Sequence, residues 1–213
     1  MTKAGDRQVR KPAILATVVT VAHPRIVLAS ASPRRVELLR AAGLRFDIVP
    51  PAGVEEITGG LPPDVLAIRN AERKADAVAA QQTDAIVIAA DTVVALGTET
   101  FGKPRDLDEA GRMLARLAGQ LHEVLTGVCV VHRPFDTHLS FCERTRVWMQ
   151  PLTGDQIRDY FTKMDPLDKA GAYAIQEHGA GIIERIDGSY SNVVGLPVER
   201  LMATLQRIGV PPA

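Results

Sequence analysis

The chain has 213 residues, of which 46% are hydrophobic and 23% charged, enough apolar material for one core or two tightly joined lobes. Lys and Arg total 25, and so do Asp and Glu, so the molecule as a whole has no bulk attraction for a nucleic-acid backbone. Direct nucleic-acid binding is therefore not expected, and any polyanion must be held by a local cluster of positive charge.

In chain order, "RKPAILATVVTVAHP" sets basic residues before an apolar run too short to span a bilayer, with no small-x-small cleavage site. Residues 1–23 are expected to be a poorly ordered extension and 24–213 a single domain. No other stretch reads as membrane-spanning, which predicts a soluble cytoplasmic protein. "RIVLA" (25–29) reads as a strand, after which Ser32 is placed as N-cap and Pro33 at the first helical position. That helix is predicted to stop at Gly43, a natural left-handed terminator. "FDIVP" (46–50) gives a second strand, followed by a Gly/Pro-rich loop.

A helix is predicted over about 64–81, with Val65, Ile68, Ala71, Ala75 and Val78 on its apolar stripe and Arg73 and Lys74 off it. "AIVIAA" (85–90) reads as a strand buried on both faces and ending at Asp91-Thr92. "VVAL" and Gly97 suggest a hairpin leading into "FGKPRD". Capping boxes, Asp106 with Glu109 and Thr153 with Gln156, open two further helices. Between them lie the strands "HEVLTGVCVV" and "LSFCERTRVWMQ", with a weak constriction near 120 as a candidate divide between lobes. "AGAYAIQ" and "AGIIERI" read as short strands, and "GLPVERLMATLQRIG" as a closing helix. Strands alternating with helices predict an α/β fold. Cys129 and Cys142 lack metal-type spacing and are expected to be free thiols in a reducing compartment.

Several residues carry candidate chemistry. Ser30, Ser32, Arg34 and Arg35 crowd a helix start, where unpaired amides and the helix dipole favour an anion. The same pattern also fits a solvated cap. Asp91 at a strand end is a candidate general base or metal ligand, or the start of a turn. Lys103, Lys74 and Lys169 are either point charges for phosphate or solvated lysines. There is no P-loop, no GxGxxG after the first strand and no nucleophile elbow.

In order along the chain, "LASASPRRVELLRAAGLRFDIVP", "ERKADAVA", "VIAADTVVALG", "FGKPRDLDEAGRMLARLAG", "DKAGAYAIQEHGAG" and "GSYSNVVGLPVERL" resemble the Maf family of nucleoside triphosphate pyrophosphatases. The resemblance implies a curved mixed β-sheet flanked by helices, with two lobes around a central cleft. It also implies hydrolysis of a nucleoside triphosphate to monophosphate and pyrophosphate with a divalent metal, Mg2+ or Mn2+, by a homodimer. Carried over by position, it makes Asp91 the active-site acid, and Arg34, Thr92 and Gln176 substrate-discriminating residues. Ser30, Arg35, Lys74 and Lys103 would handle phosphate, with Ser32 beside them, and a loop acid falls on Glu55 or Glu56, of which Glu56 would join Asp91 at the metal. The tail motifs look like the branch acting on dTTP and UTP, and modified pyrimidine nucleotides are expected as further substrates. The Gln176 carboxamide can donate to O4 and accept from N3–H of uracil or thymine. Two rivals are a nucleotide-sensing regulator of septum formation and a purine house-cleaning pyrophosphatase.

Overall fold

The computed structural model describes residues 24–211, so the extension expected over 1–23 lies outside the described residues. Its first half runs β1 (Ile26–Leu28), α1 (Pro33–Ala41), β2 (Asp47–Ile48), α2 (Pro63–Ala79), β3 (Ile86–Leu96), β4 (Glu99–Phe101) and α3 (Leu107–Leu117). The second half runs β5 (Leu121–His132), β6 (Thr137–Met149), α4 (Gly154–Phe161), β7 (Ile183–Asp187), α5 (Tyr190–Val194) and α6 (Val198–Arg207). The strands form one mixed sheet in the order β2-β1-β3-β5-β6-β7, with β4 on β3 off that path. The α/β expectation of a mixed sheet flanked by helices therefore holds.

The two largest apolar clusters flank the long strands, and a third lies under α2, where Ala71, Ala75 and Val78 join Val27, Val87 and Cys129. Leu28, Leu39, Ile88, Val128 and Leu205 belong to the first, with α1 and α6 packed on the sheet. Val94, Leu114, Leu117, Val124 and Tyr160 belong to the second, under α3 and α4. The first two clusters are not separated by a break near 120. There β5 begins an unbroken strand through both, paired with β3 from Ala95↔Glu123 to Val87↔Val131.

Asp91-Thr92 is likewise no strand end or turn. The pair lies in the middle of the 11-residue β3, because β5 continues the ladder past it at Asp91↔Gly127 and Thr92↔Thr126. On the opposite edge β3 changes neighbours: parallel β1 pairs with Ile86 to Ile88, and antiparallel β4 with Val94 to Leu96. Between those pairings neither strand covers that edge, which opens the sheet to a ligand beside Asp91.

The stripe on α2 also differs from the periodic expectation. Val65 is exposed, while Leu66, Ala67, Asn70, Ala71, Lys74, Ala75 and Val78 are buried. Lys74 therefore belongs to the inward face. Its apolar stem is compatible with packing there, and its charge finds partners at the far end. Gly127 lets α2 come this close, because a β-carbon there would meet the main chain of Ala67 at 2.3 Å. Directly opposed residues of an antiparallel pair share a face. Gly127 thus leaves room for the helix on the face that carries Asp91.

Thr153 and Gln156 form the full reciprocal capping box. Asp106 caps the Glu109 amide, but the Glu109 carboxylate turns to the Arg105 N–H and guanidinium, so that box is only half formed. "AGAYAIQ" is not a strand: residues 170–172 make a single 3-10 turn. Helix α5 had no counterpart in the sequence reading. Cys129 and Cys142 are free, and burial pushes their thiols up to about 12 and about 11.

Candidate active site

A cavity of about 510 Å³ opens at the uncovered edge of β3 and reaches both faces of that strand. Asp91, Lys74 and Glu56 line one side of it, and of the other expected residues Arg34, Arg35, Thr92, Ser32, Lys103 and Gln176 line the rest. Ser30 stands behind Arg35. Its Oγ accepts from Arg35 Nη1 at 3.4 Å and from the Ser32 amide at 3.1 Å. Ser32 is the N-cap of α1 by position but makes no side-chain capping bond, which leaves its hydroxyl to the cavity.

On the α2 face, Lys74 Nζ donates to Asp91 Oδ1 at 2.6 Å and pairs with Glu56 Oε1 at 2.5 Å. The side chains of Asp91 and Lys74 are nine-tenths buried, so each charge depends on the other being present. Asn70, one turn before Lys74, donates to Asp91 Oδ2 at 3.2 Å. The same carboxamide accepts from the Ile57 amide and donates to the Ile57 carbonyl, fastening the loop that carries Glu56 onto α2. Both acids of the doublet are exposed, but only Glu56 turns to Lys74 and lines the cavity, whereas Glu55 is absent from its wall. Burial works to raise the Glu56 carboxyl. The hydrogen bond from Lys74 and the charges of Lys74, Lys103 and Arg35 outweigh it and hold the group below its ordinary value.

On the opposite face of β3, Arg35 donates from Nε to Gly195 O at 2.8 Å and from Nη2 to Thr92 Oγ1 at 3.0 Å. Thr92 meets Thr126 across the ladder, and Thr126 bonds the carbonyl of Asn192. Burial lowers the Arg35 guanidinium from its ordinary value, against the opposing charge of Asp91. Arg34 behaves differently: it reaches across the cleft and donates to Asp168 Oδ2 at 2.8 Å and to the Asp168 carbonyl at 3.1 Å. Asp168 also accepts from Lys169 Nζ at 2.7 Å. Lys169 is 5% exposed and holds the Asp165 carbonyl and Glu177 as well, so it is a buried fastener for this loop, not a solvated lysine. Lys103 makes no ion pair among the described residues, so its charge is available to a ligand.

Residues far apart in sequence thus converge on one cavity in which cations outnumber carboxylates, with a buried Asp at its base. Such an arrangement suits a polyanion bearing several phosphates. A family model described as Maf-like protein matches residues 25–208. The chain belongs to the Maf-like protein family. It is 48% identical over 185 residues to the dTTP/UTP pyrophosphatase of Carboxydothermus hydrogenoformans, covering 87% of this chain and 99% of that one. With the dTTP/UTP pyrophosphatase of Bacillus velezensis it shares 42% over 186 residues, covering 87% and 97%. Among solved structures it is similar to the Staphylococcus aureus Ham1 protein, with a TM-score of 0.49 and 14% identity over 86% of this chain and 99% of that one.

For a Maf-like protein, the donor set fits a hard divalent cation of the kind the family implies. Mg2+ and Mn2+ take one or two carboxylates together with substrate phosphate oxygens. Asp91 and Glu56 are two carboxylates that would suit such an ion, both drawn to one ammonium. Among the described residues no group of three or more His, Cys, Asp and Glu offers a protein-only cage. Sequence reasoning missed Asn70 and Asp168. Asn70 had a readable signal, since it lies four residues before Lys74 and so shares its helix face. Asp168 opens the motif "DKAGAYAIQEHGAG", but its pairing had no local signal, because its partner Arg34 is 134 residues away.

Proposed function

We propose that this protein hydrolyses dTTP and UTP, and 5-modified pyrimidine relatives of them, to the nucleoside monophosphate and pyrophosphate. The observation that carries the reading is the buried Asp91 carboxylate, bonded to Lys74 and facing a cavity lined by Arg34, Arg35 and Lys103. A pure binder of triphosphates gains little from a carboxylate there, whereas a hydrolase needs a base. Asp91 accepts the proton of a water whose oxygen attacks the α-phosphorus. The new P–O bond replaces the bond to the oxygen bridging the α and β phosphorus atoms, and the electron pair leaves with pyrophosphate. Lys74, Lys103 and the arginines compensate the charge that grows on the leaving group. A divalent cation held by Asp91 and Glu56 would add Lewis acidity at the phosphates.

Gln176 provides one donor and one acceptor for the O4 and N3–H edge of uracil or thymine. Arg34 and Thr92 are the other residues read as selecting substrate, by resemblance to the family. The reading extends to a cytoplasmic homodimer, which light scattering and cell fractionation test. Among the described residues no helix is long and apolar enough to cross a membrane.

The deciding measurement is pyrophosphate release over canonical and modified triphosphates. Asp91→Asn is expected to lower turnover by about a thousandfold with its fold retained, the scale of a lost general base. Full turnover in that variant overturns the assignment of Asp91. Absence of release from every triphosphate by the wild type overturns the activity.

A further inference from the structure

The segment that carries Gln176 is held by a hydroxyl from the neighbouring helix. Residues 173–178 belong to no helix or strand, so their main-chain polar groups have no ladder to join. The segment is bracketed by two non-glycine residues in the left-handed region, Ala172 at φ 61° and His178 at φ 57°. Such residues persist only where the surroundings over-determine them.

Tyr160 supplies that restraint. Its ring is anchored in the core between α3 and α4, and it is 4% exposed. The Ala174 amide donates to Tyr160 Oη at 3.1 Å, and the hydroxyl reaches the Ala174 and Glu177 carbonyls, each at 3.2 Å. One oxygen thus grips the main chain on both sides of Ile175-Gln176. Lys169 adds a second hold at the Glu177 carboxylate, 3.4 Å away. Gln176 itself is exposed toward the cavity, with none of these bonds made by its own side chain.

We propose that Tyr160 is a positioning residue for base selection: its hydroxyl fixes the 174–177 segment and thereby the direction in which the Gln176 carboxamide faces a pyrimidine. The inference rests on the pyrimidine triphosphate reading of the cavity. An amide tells uracil or thymine from cytosine by orientation, since cytosine presents a donor at N4 and an acceptor at N3, the reverse order. The amide can still turn about its own terminal bond, but a main chain fixed at 174 and 177 limits the positions from which it meets that edge, so a looser segment weakens the preference for one order over the other.

Tyr160→Phe removes the hydroxyl and keeps the ring. Its effect is read as the ratio of kcat/KM for dTTP to that for dCTP, alone and in a Gln176→Ala background. The ratio is expected to fall about fivefold in Tyr160→Phe, mainly through KM for dTTP, as for the loss of a single neutral hydrogen bond. In the Gln176→Ala background the same change is expected to move the ratio by less than about twofold, because the residue through which Tyr160 acts is already gone. Hydrogen exchange at the Ala174 amide, which needs no turnover, is expected to quicken about tenfold.

An unchanged ratio, an equal fall in both backgrounds, or unchanged exchange at Ala174 overturns the role of Tyr160 while leaving the hydrolase reading intact. A wild type that releases no pyrophosphate removes both, and a Gln176→Ala protein with wild-type preference removes the base-reading assignment on which Tyr160 depends.

Discussion

The two ends of the cavity are built from different materials. Around Asp91, the polar groups come largely from regular elements: β3 carries the acid, α2 presents Lys74 and Asn70, and Gly127 of β5 admits the helix to the sheet. Around Gln176, they come from a loop and a 3-10 turn, tied by Tyr160, Lys169 and the Asp168–Arg34 bridge. The first end is held by backbone ladders and close packing, the second by a few polar side chains. In the proposed reaction the carboxylate has to meet a phosphorus and needs the stiffer frame, since small misplacements cost reaction rate. A loop proposed to read a base can be altered by changing a few contacts while the frame stands.

Three measurements sharpen or break this contrast. The largest effect is expected from Gly127→Ala, which drives a β-carbon into the main chain of Ala67 at 2.3 Å. Lifting α2 from the sheet should cost about 3 kcal/mol in urea unfolding, the upper range for overpacking. It should also reduce turnover with dTTP by separating Lys74 and Asn70 from Asp91. Near-wild-type values for both would mean that the α2 frame is not rigid.

Acid should act next, and at the loop end. His122, 1% exposed and bonded to Tyr173 Oη at 2.7 Å, is lowered to about 4 chiefly by burial. Its folded value lies below the ordinary 6.5, so the unfolded chain takes up the proton first. Stability from the neutral ring is complete above 6.5 and is lost as pH falls toward 4. Moving from neutral pH to the lower part of that window should remove about 2 kcal/mol in wild type. A His122→Gln protein should lack that component, and identical pH dependence in the two would exclude His122 as the source.

The smallest effect is expected from Asp168→Asn. Arg34 keeps the carbonyl of residue 168 but loses a charged partner. KM for dTTP should rise about fivefold with kcat within about twofold, the scale of one charge-assisted hydrogen bond on a partly exposed pair. A fall in kcat of the same size would place Arg34 with the reacting groups and blur the division between the two ends.

The sequence alone determined the alternation of strands and helices, the start of α1 at Ser32-Pro33, the full capping box at Thr153, and the ordered motifs of the Maf-like family. These signals are local: a cap, a periodicity or a motif is written in neighbouring residues. Tertiary structure decided that β3 runs on through Asp91, that Glu56 rather than Glu55 meets Lys74, and that Lys74 faces inward. It also decided that Arg34 spans the cleft to Asp168 and that a tyrosine on α4 grips the loop of Gln176. Each of these is a polar contact whose strength depends on burial and on partners brought close by folding. Helical periodicity pointed away from Lys74 because it counts apolar side chains, while a lysine is buried wherever a carboxylate from another element waits at the end of its stem.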